Sequence, residues 1–156
     1  MGLRRRSREK ALQILYSMEF NKNLTVDEAV DSYVTYFNLP SKNGEEPDNN
    51  NVLDEDEIFF VKYLLRTVKA HIREIERLIE EAATNWRIDR IALIERNILR
   101  MSVAELIDEK NGVPFKATIN EAIDIAKKFG NKESSAFVNG IINKIADVIN
   151  IKNKKL

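Results

Sequence analysis

Apolar residues recur along this chain with the spacing of an α helix, and this feature limits the possible folds more than any other. One long stretch carries apolar side chains at intervals of three and four residues: Val61, Leu64, Leu65, Val68, Ile72, Ile75 and Ile79. That spacing places them on one face of a helix, whereas a half-buried strand alternates apolar and polar residues. Since no convincing run of such alternation occurs, the sequence predicts an all-α protein of about seven helices.

Capping and helix-breaking residues mark the predicted helix ends in the first half of the chain. Thr25 with Glu28 fits a capping box at the start of the second helix. The stretch 38–53 contains two prolines, a glycine and an asparagine run, so it is expected to be a surface loop, with Pro40 ending the helix before it. The acidic residues 54–57 then open a long helical stretch, where their charges complement the helix dipole, and a break is expected near residues 69–72.

The second half of the chain is predicted to contain the most buried helix. Residues 91–107 are apolar on most sides, as is typical of a central helix. Trp86 is expected to pack as an anchor in the joint before it, and Asn111 with Gly112 is expected to end it. Of the two helices that follow, the first is predicted to begin with a capping box at Thr118 and Glu121, or one turn earlier. It is predicted to end at Gly130, and the last helix to start at Ser134 or Ser135.

The composition excludes several classes of active site. The 156 residues include no cysteine and one histidine, His71, so disulfides, thiolate metal sites and Cys-His catalysis are excluded. A structural role is expected for His71, and the acids at 54–57 lack a convergent ligand set. No glycine-rich phosphate loop occurs, so neither an enzymatic activity nor a cofactor is expected. The absence of cysteine fits a reducing cytoplasm, and no apolar run has the length of a membrane span or a signal peptide.

A local cluster of positive charge lies at the start of the chain, although the 25 basic and 25 acidic residues balance overall. The cluster consists of Arg4, Arg5, Arg6, Arg8 and Lys10. At about 100° per residue these side chains ring a helix, which predicts a helix end that projects into solvent or onto a polyanion. Arginine suits phosphate because its planar guanidinium forms bidentate hydrogen bonds. A solubilising terminus and a membrane-binding arm are the alternatives.

Three segments resemble the NusB family of transcription antitermination factors. The opening RRRSREKALQILYSMEF is similar to an arginine run that leads into the family's first helix. The central segment NWRIDRIALIERNILRMSVAEL is similar to its E-x-x-x-L-R-x-x-x-x-E-L pattern. The most specific match is VPFKATINEAIDIAKKFGNKESSAFVNGIINKIA, where polar positions and a glycine fall at fixed offsets. The resemblance spans nearly the whole chain, although Ile142 replaces the usual leucine and the 38–53 loop is longer.

The resemblance implies a fold and a set of partners. The fold would be two small packed helical bundles, at about residues 1–70 and 71–150, followed by a basic tail at 151–156. The ligand would be the boxA element of nascent ribosomal RNA leaders. The protein partner would be NusE, a small-subunit ribosomal protein, and the assembly would act on RNA polymerase with other Nus factors.

The resemblance also implies site residues. The RNA contacts it implies are Arg4, Arg5, Arg6, Arg8, Lys10, Lys116, Lys128 and Phe137, with Lys127 close by. Phe137 would stack on an unpaired base, or else belong to the core. For Asn120 and Asn139 a buried capping role is favoured over RNA contact, and Gly140 is expected to let helices approach closely. The NusE surface is expected around residues 95–105 and 131–135.

Other hypotheses remain at this point. A related helical domain precedes ribosomal RNA cytosine methyltransferases, but this sequence ends at Leu156 without a cofactor-binding domain, which favours a free-standing adaptor. A non-catalytic protein-interaction module, in which the arginines serve only solubility, is the second class of function. A homodimer is possible under either hypothesis.

Overall fold

The computed structural model describes residues 3–38, 44, 52–84 and 86–154 of the chain. Within these residues it contains seven α helices, two short 3-10 turns and no strand, which confirms the predicted all-α class. The 3-10 turns span Ile88–Arg90 and Glu109–Asn111. The helices are α1 (Leu3–Phe20), α2 (Val26–Asn38), α3 (Glu55–Ala70), α4 (Ile72–Ala82), α5 (Leu93–Ile107), α6 (Phe115–Phe129) and α7 (Lys132–Lys154).

The chain divides into two compact units, Met1–Arg66 and Thr67–Leu156. In the first unit α1 packs against α2, and the buried side chains follow the predicted helical periodicity. They include Ala11, Leu12, Ile14, Leu15, Val26, Ala29, Val30, Val61, Leu64 and Leu65. Burial of each large apolar side chain contributes about 1.5–3 kcal/mol to the free energy of unfolding. These side chains therefore stabilise the unit whose helix α1 contains the arginine cluster.

In the second unit α5 is the central helix, as its apolar sequence predicted. It packs against α4, α6 and α7, and residues 97–99 and 101–106 of it are buried. The last helix buries Val138, Ile141, Ile142, Ile145 and Ile149. Helix α7 continues through Lys154, so the first four residues of the predicted tail are helical.

The predicted start of α2 is confirmed in detail. The backbone N–H of Glu28 donates to Thr25 Oγ1 at 3.1 Å, and the backbone N–H of Thr25 donates to Glu28 Oε1 at 3.4 Å. These two bonds form the capping box, which satisfies backbone donors that the helix itself cannot pair. Most of the predicted loop at 38–53, including Pro40, lies outside the described residues.

A second capping box, which the sequence analysis did not identify, begins α3. Glu57 N–H donates to Asp54 Oδ1 at 2.8 Å, and Asp54 N–H donates to Glu57 Oε1 at 3.3 Å. The acids at 54–57 therefore do more than complement the helix dipole. The predicted break near residues 69–72 is confirmed, since α3 ends at Ala70 and α4 begins at Ile72 with an exposed His71 between them.

Two expectations about the borders of α5 were wrong. Trp86 is 56% exposed, so it does not pack as a buried anchor in the joint. Helix α5 ends at Ile107, before Asn111 and Gly112, because Asp108 takes an extended backbone and its carboxylate accepts the Lys110 N–H. Gly112 ends the 3-10 turn that follows, with a φ of 72° that favours glycine.

The two C-terminal helices begin earlier than their favoured caps indicated. Helix α6 starts at Phe115 behind Pro114, which matches the earlier-start alternative and leaves Thr118 buried inside the helix. Helix α7 starts at Lys132, and Asn131 Oδ1 accepts the Ser134 N–H at 2.8 Å as its cap. The predicted starts at Ser134 or Ser135 lay two to three residues too late, because Asn131 caps the helix and both serines lie within its first turn.

Close approach at a glycine occurs at Gly130 and was wrongly expected at Gly140. A Cβ at Gly140 would meet nothing within 4 Å, so no neighbouring helix demands a glycine there. A Cβ at Gly130 would lie 2.7 Å from Ser134 Cβ and 2.9 Å from the Ala126 carbonyl oxygen. Gly130 thus ends α6, as predicted, and lets α7 begin directly beside it.

No helix among the described residues has the length and apolar character needed to cross a membrane.

Candidate nucleic-acid interface

The arginine cluster lies in the first three turns of α1, but the helix end does not project into solvent as predicted. Arg4 is exposed and Arg5 and Arg6 are half-buried, whereas Arg8 is 6% exposed and Lys10 is 8% exposed. The ring-like placement was derived correctly from the helix period. The expectation was wrong because side chains of this helix end contact the start of α3, where Arg6 meets Glu57 and Arg8 meets Phe60.

The buried side of the arginine helix is marked by Ser7, which is 1% exposed. At about 100° per residue, Arg4 and Arg8 lie on one flank of Ser7, while Arg6 and Lys10 lie on the other. Arg5 is on the side opposite Ser7. A small serine on the buried face allows close packing, and the long cationic side chains extend around both flanks.

Arg6 links α1 to the start of α3. Its Nη2 donates to the Val52 carbonyl oxygen, and its Nε lies 3.3 Å from Glu57 Oε2. The Glu57 side chain is 3% exposed and the Arg6 side chain 37% exposed. A carboxylate with so little access to water needs compensation; Arg6 supplies an opposite charge, and the capping box supplies a hydrogen bond to Oε1.

Arg4 and Arg8 lie beside the aromatic ring of Phe60, one turn further along α3. Their guanidinium carbons are 5.2 Å and 5.6 Å from its centroid, within cation-π distance. A guanidinium over a ring face keeps its in-plane N–H groups directed outward, where they can bond phosphate oxygens. Phe60 itself meets Tyr63 edge-on, with ring centroids 5.9 Å apart.

The remaining predicted contacts lie in the second unit. Lys116, Lys127 and Lys128 are exposed on α6, and Lys128 Nζ is 5.6 Å from the Phe129 ring centroid. Phe137 lies in the second turn of α7 and is partly buried. This partial burial excludes neither base stacking nor a core role, so both stay predictions.

The favoured buried role for Asn120 and Asn139 was wrong. Both are exposed, and Asn139 Oδ1 accepts a hydrogen bond from Asn143 Nδ2 at 2.6 Å within the same helix. Asn97 is fully buried instead, and its Oδ1 accepts from Arg100 Nη1 at 2.9 Å. The helical period was a usable signal, since the apolar stripes of α6 and α7 leave Asn120 and Asn139 away from the core face.

The expected partner surface at residues 95–105 is mostly interior. Residues 97–99 and 101–105 are buried, and only Glu95, Arg96 and Arg100 keep partial exposure. Arg100 also binds within the unit, through Glu76 at 2.7 Å. In the second expected segment, 131–135, Asn131, Lys132 and Glu133 are exposed. Because the apolar residues of 91–107 are buried in the core, few of them are accessible to a partner protein.

Sequence reasoning missed three contributors to the site, Val52, Glu57 and Phe60. The D-x-x-E spacing of Asp54 and Glu57 was a usable signal for the second capping box. Nothing local indicated that Arg6 would pair with Glu57 or that two arginines would lie over Phe60. Among the described residues, no group of three or more His, Asp or Glu side chains gathers as metal ligands do.

Known proteins of one family are similar to this chain along nearly its whole sequence. The model of the NusB family matches residues 5–147. A transcription antitermination protein NusB from Myxococcus xanthus is 40% identical over 150 residues, covering 96% of this chain and 99% of the relative. A protein of the same name from Anaeromyxobacter is 41% identical over 147 residues, covering 94% and 92%.

Solved structures share the fold. A chain from a complex of the antitermination factors NusB and NusE with double-stranded RNA superposes with a TM-score of 0.75 at 26% identity, covering 95% of this chain and 98% of that one. A chain from the crystal structure of a plectonemic RNA supercoil gives a TM-score of 0.76 at 27% identity, with 95% and 96% covered. The solution structure of NusB from Aquifex aeolicus gives 0.73 at 29% identity, with 98% and 93% covered.

Proposed function

Because the chain belongs to the NusB family, we propose that it is a transcription antitermination factor that binds RNA together with NusE. The observation that carries this function is the match to antitermination proteins at about 40% identity across nearly the whole of both chains. A structural neighbour that combines NusB, NusE and RNA supports the same pair of partners. The role is one of binding in the cytoplasm, without a chemical step.

The proposed ligand is a boxA-type single strand of a nascent ribosomal RNA leader. Single-stranded RNA exposes phosphates for arginine and unpaired bases for aromatic stacking. In the first unit the exposed Arg4, and Arg5 on the side of α1 opposite Ser7, contact phosphates, while Arg6, Arg8 and Lys10 strengthen the positive potential around them. In the second unit Lys116 and Lys128 contact phosphates and the accessible part of Phe137 stacks on a base.

This division assigns affinity and specificity to different residues. Phosphate contacts position the RNA but carry no sequence information, so the arginines supply affinity. Sequence preference then comes from base stacking at Phe137 and from the surface that NusE adds. The complex of RNA, this protein and NusE acts on RNA polymerase together with other Nus factors.

A fluorescence titration tests the function with a boxA-like RNA and a scrambled RNA, each with and without NusE. We expect preference for the boxA-like strand and tighter binding when NusE is present. The logarithm of affinity is expected to fall with the logarithm of salt concentration, with a slope of about 0.7 per phosphate contacted. Equal affinity for both RNAs with NusE present would contradict the proposal. Binding of NusE without any salt-dependent RNA binding would favour a protein-interaction module.

A matched pair of variants locates the surface. Arg5→Ala removes a cation from the proposed site, and its slope is expected to fall by about 0.7 if one phosphate contact is lost. Arg77→Ala removes the same charge from an exposed position on α4, where Arg77 pairs with Glu81, and is expected to bind like the wild type. Equal losses in the two variants would mean that net charge, rather than the arginine cluster, governs binding.

A further inference from the structure

Glu57 is the most enclosed carboxylate among the described residues of the first unit, and it lies beside Arg6 of the arginine cluster. Glu57 is 2% exposed, so RNA cannot reach it. The capping box with Asp54 fixes the side chain, because Glu57 Oε1 accepts the Asp54 N–H at 3.3 Å. Its second oxygen, Oε2, lies 3.3 Å from Arg6 Nε. Glu57 is therefore a rigid negative charge held by α3 and directed at the first turns of α1.

The position of Arg6 makes this contact important for its neighbours. The first turn of a helix has backbone N–H groups without helical partners, so it frays unless other contacts secure it. Arg4 and Arg5 lie in that turn, and Arg6 ties it to α3 through Glu57 and through the Val52 carbonyl. Phe60 adds a third contact, at 5.2 Å from the Arg4 guanidinium.

We propose that Glu57 is a positioning residue for RNA binding, which acts by holding Arg6 and so ordering Arg4 and Arg5 before RNA arrives. The proposal rests on the proposed RNA-binding function. An ordered turn does not lose conformational entropy when it meets RNA, whereas a frayed turn loses it for each residue that becomes fixed. A carboxylate that never touches the polyanion then increases affinity for it.

Electrostatics alone predicts the opposite sign, which makes the proposal testable. If Glu57 only subtracted charge from the cluster, neutralising it would strengthen binding to RNA. Under the positioning proposal, Glu57→Gln weakens binding by about tenfold, the cost of ordering roughly one residue. Glutamine retains the capping box, since its Oε1 accepts the same backbone N–H, while its neutral Nε2 replaces the charged oxygen that faces Arg6.

Glu55→Gln is the matched control. Glu55 is exposed in the same first turn of α3, and its substitution changes the net charge by the same amount. We expect Glu55→Gln to bind RNA as tightly as the wild type or slightly more tightly. The titration uses the full chain with NusE and a boxA-like RNA at several salt concentrations. The salt slope of Glu57→Gln is expected to equal that of the wild type, because the same phosphates are contacted.

A double variant shows whether Glu57 acts through Arg6. Arg6→Ala alone is expected to weaken binding, and the double variant Arg6→Ala with Glu57→Gln is expected to bind no more weakly than the weaker single variant. Losses that multiply would overturn the proposal, since the two residues would then act independently. Hydrogen exchange supplies a readout other than affinity: the amides of residues 7 and 8, which bond to the first turn, are expected to exchange faster in Glu57→Gln, with those of residues 11–15 unchanged.

A second substitution covers the case in which Glu57→Gln unfolds. Arg6→Lys keeps the positive charge but lacks the planar fork that reaches both Glu57 and Val52, so it is expected to weaken RNA binding as well. Wild-type affinity in Arg6→Lys, or equal affinity in Glu57→Gln and Glu55→Gln, would overturn the positioning role while leaving RNA binding intact. Failure of the wild-type protein to bind the RNA would overturn the function itself.

Discussion

Helices α2 and α3 begin with the same pair of reciprocal hydrogen bonds, in very different surroundings. At α2 the bonds join Thr25 and Glu28, at 3.1 Å and 3.4 Å. At α3 they join Asp54 and Glu57, at 2.8 Å and 3.3 Å. Glu28 is exposed, whereas Glu57 is 2% exposed and lies beside Arg6. The local geometry is thus shared, and the environment of the glutamate is what differs.

This difference separates two functions of one local motif. The capping box at α2 only satisfies backbone donors, and its glutamate is exposed to solvent. The box at α3 satisfies the same donors and also delivers a fixed carboxylate to another helix. A side chain that would otherwise be a surface cap becomes the link between α3 and the arginine cluster of α1.

The largest expected effect comes from removing the two glutamates in turn. Glu57→Ala should lower the free energy of unfolding by about 2–3 kcal/mol, somewhat less than the loss of a fully buried ion pair because Arg6 keeps partial solvation. Glu28→Ala should cost only about 0.5 kcal/mol, since it removes one exposed bond. Urea unfolding at pH 7 measures both. Similar losses would show that burial beside Arg6 adds nothing to the box at α3.

The two boxes also show how far the sequence could predict this molecule. Thr25 with Glu28 was identified from spacing alone, and Asp54 with Glu57 has the same spacing. A capping box is local, so the residues that form it are sufficient to predict it. Burial of Glu57 depends on Arg6, which is far away in the sequence, and no local pattern records that contact.

The arginine cluster shows the same limit. The helix period placed Arg4, Arg5 and Arg6 around the helix correctly, and the family resemblance implied the proposed RNA-binding function. Neither the helix period nor the resemblance revealed that the Ser7 side of α1 is buried. The prediction that this helix end projects into solvent was therefore wrong. The expectation for Trp86 was wrong in the opposite direction. A large apolar side chain favours burial, but Trp86 is exposed between α4 and α5.

The N-cap residues should differ much less than the glutamates. Asp54→Ala and Thr25→Ala each remove a side-chain acceptor for one backbone N–H, and each is expected to cost about 1 kcal/mol. Chemical denaturation of both variants beside the wild type measures the losses. A loss for Asp54→Ala as large as that for Glu57→Ala would mean that Arg6 depends on the whole α3 box rather than on the glutamate charge.

The smallest expected effect concerns the surface charges around the first turn of α2. Lys62, through a side-chain hydrogen bond, and then Arg66 hold the pKa of Asp27 below its ordinary value of 3.8, although partial burial opposes them. Lys62 Nζ and Arg66 Nη2 lie 3.3 Å and 2.6 Å from Asp27 Oδ1. Because the folded pKa is depressed, the stabilisation is complete above pH 3.8 and is lost as the pH falls through the folded pKa.

Asp27→Asn should therefore destabilise the protein slightly at neutral pH, and its deficit relative to the wild type should shrink as the pH falls below 3.8. Urea midpoints of both proteins at pH 7 and at lower pH values measure this difference, and acid effects common to both cancel. A deficit that stays constant across the range would mean that the contacts of Asp27 do not depend on its charge. The ion pairs at α2 are open to solvent and screened by salt, so even the full deficit should be far smaller than that of Glu57→Ala. A larger loss of stability for Asp27→Asn than for Glu57→Ala would contradict this ranking. The exposed ion pairs of Asp27 would then stabilise the protein more than the buried Glu57 does.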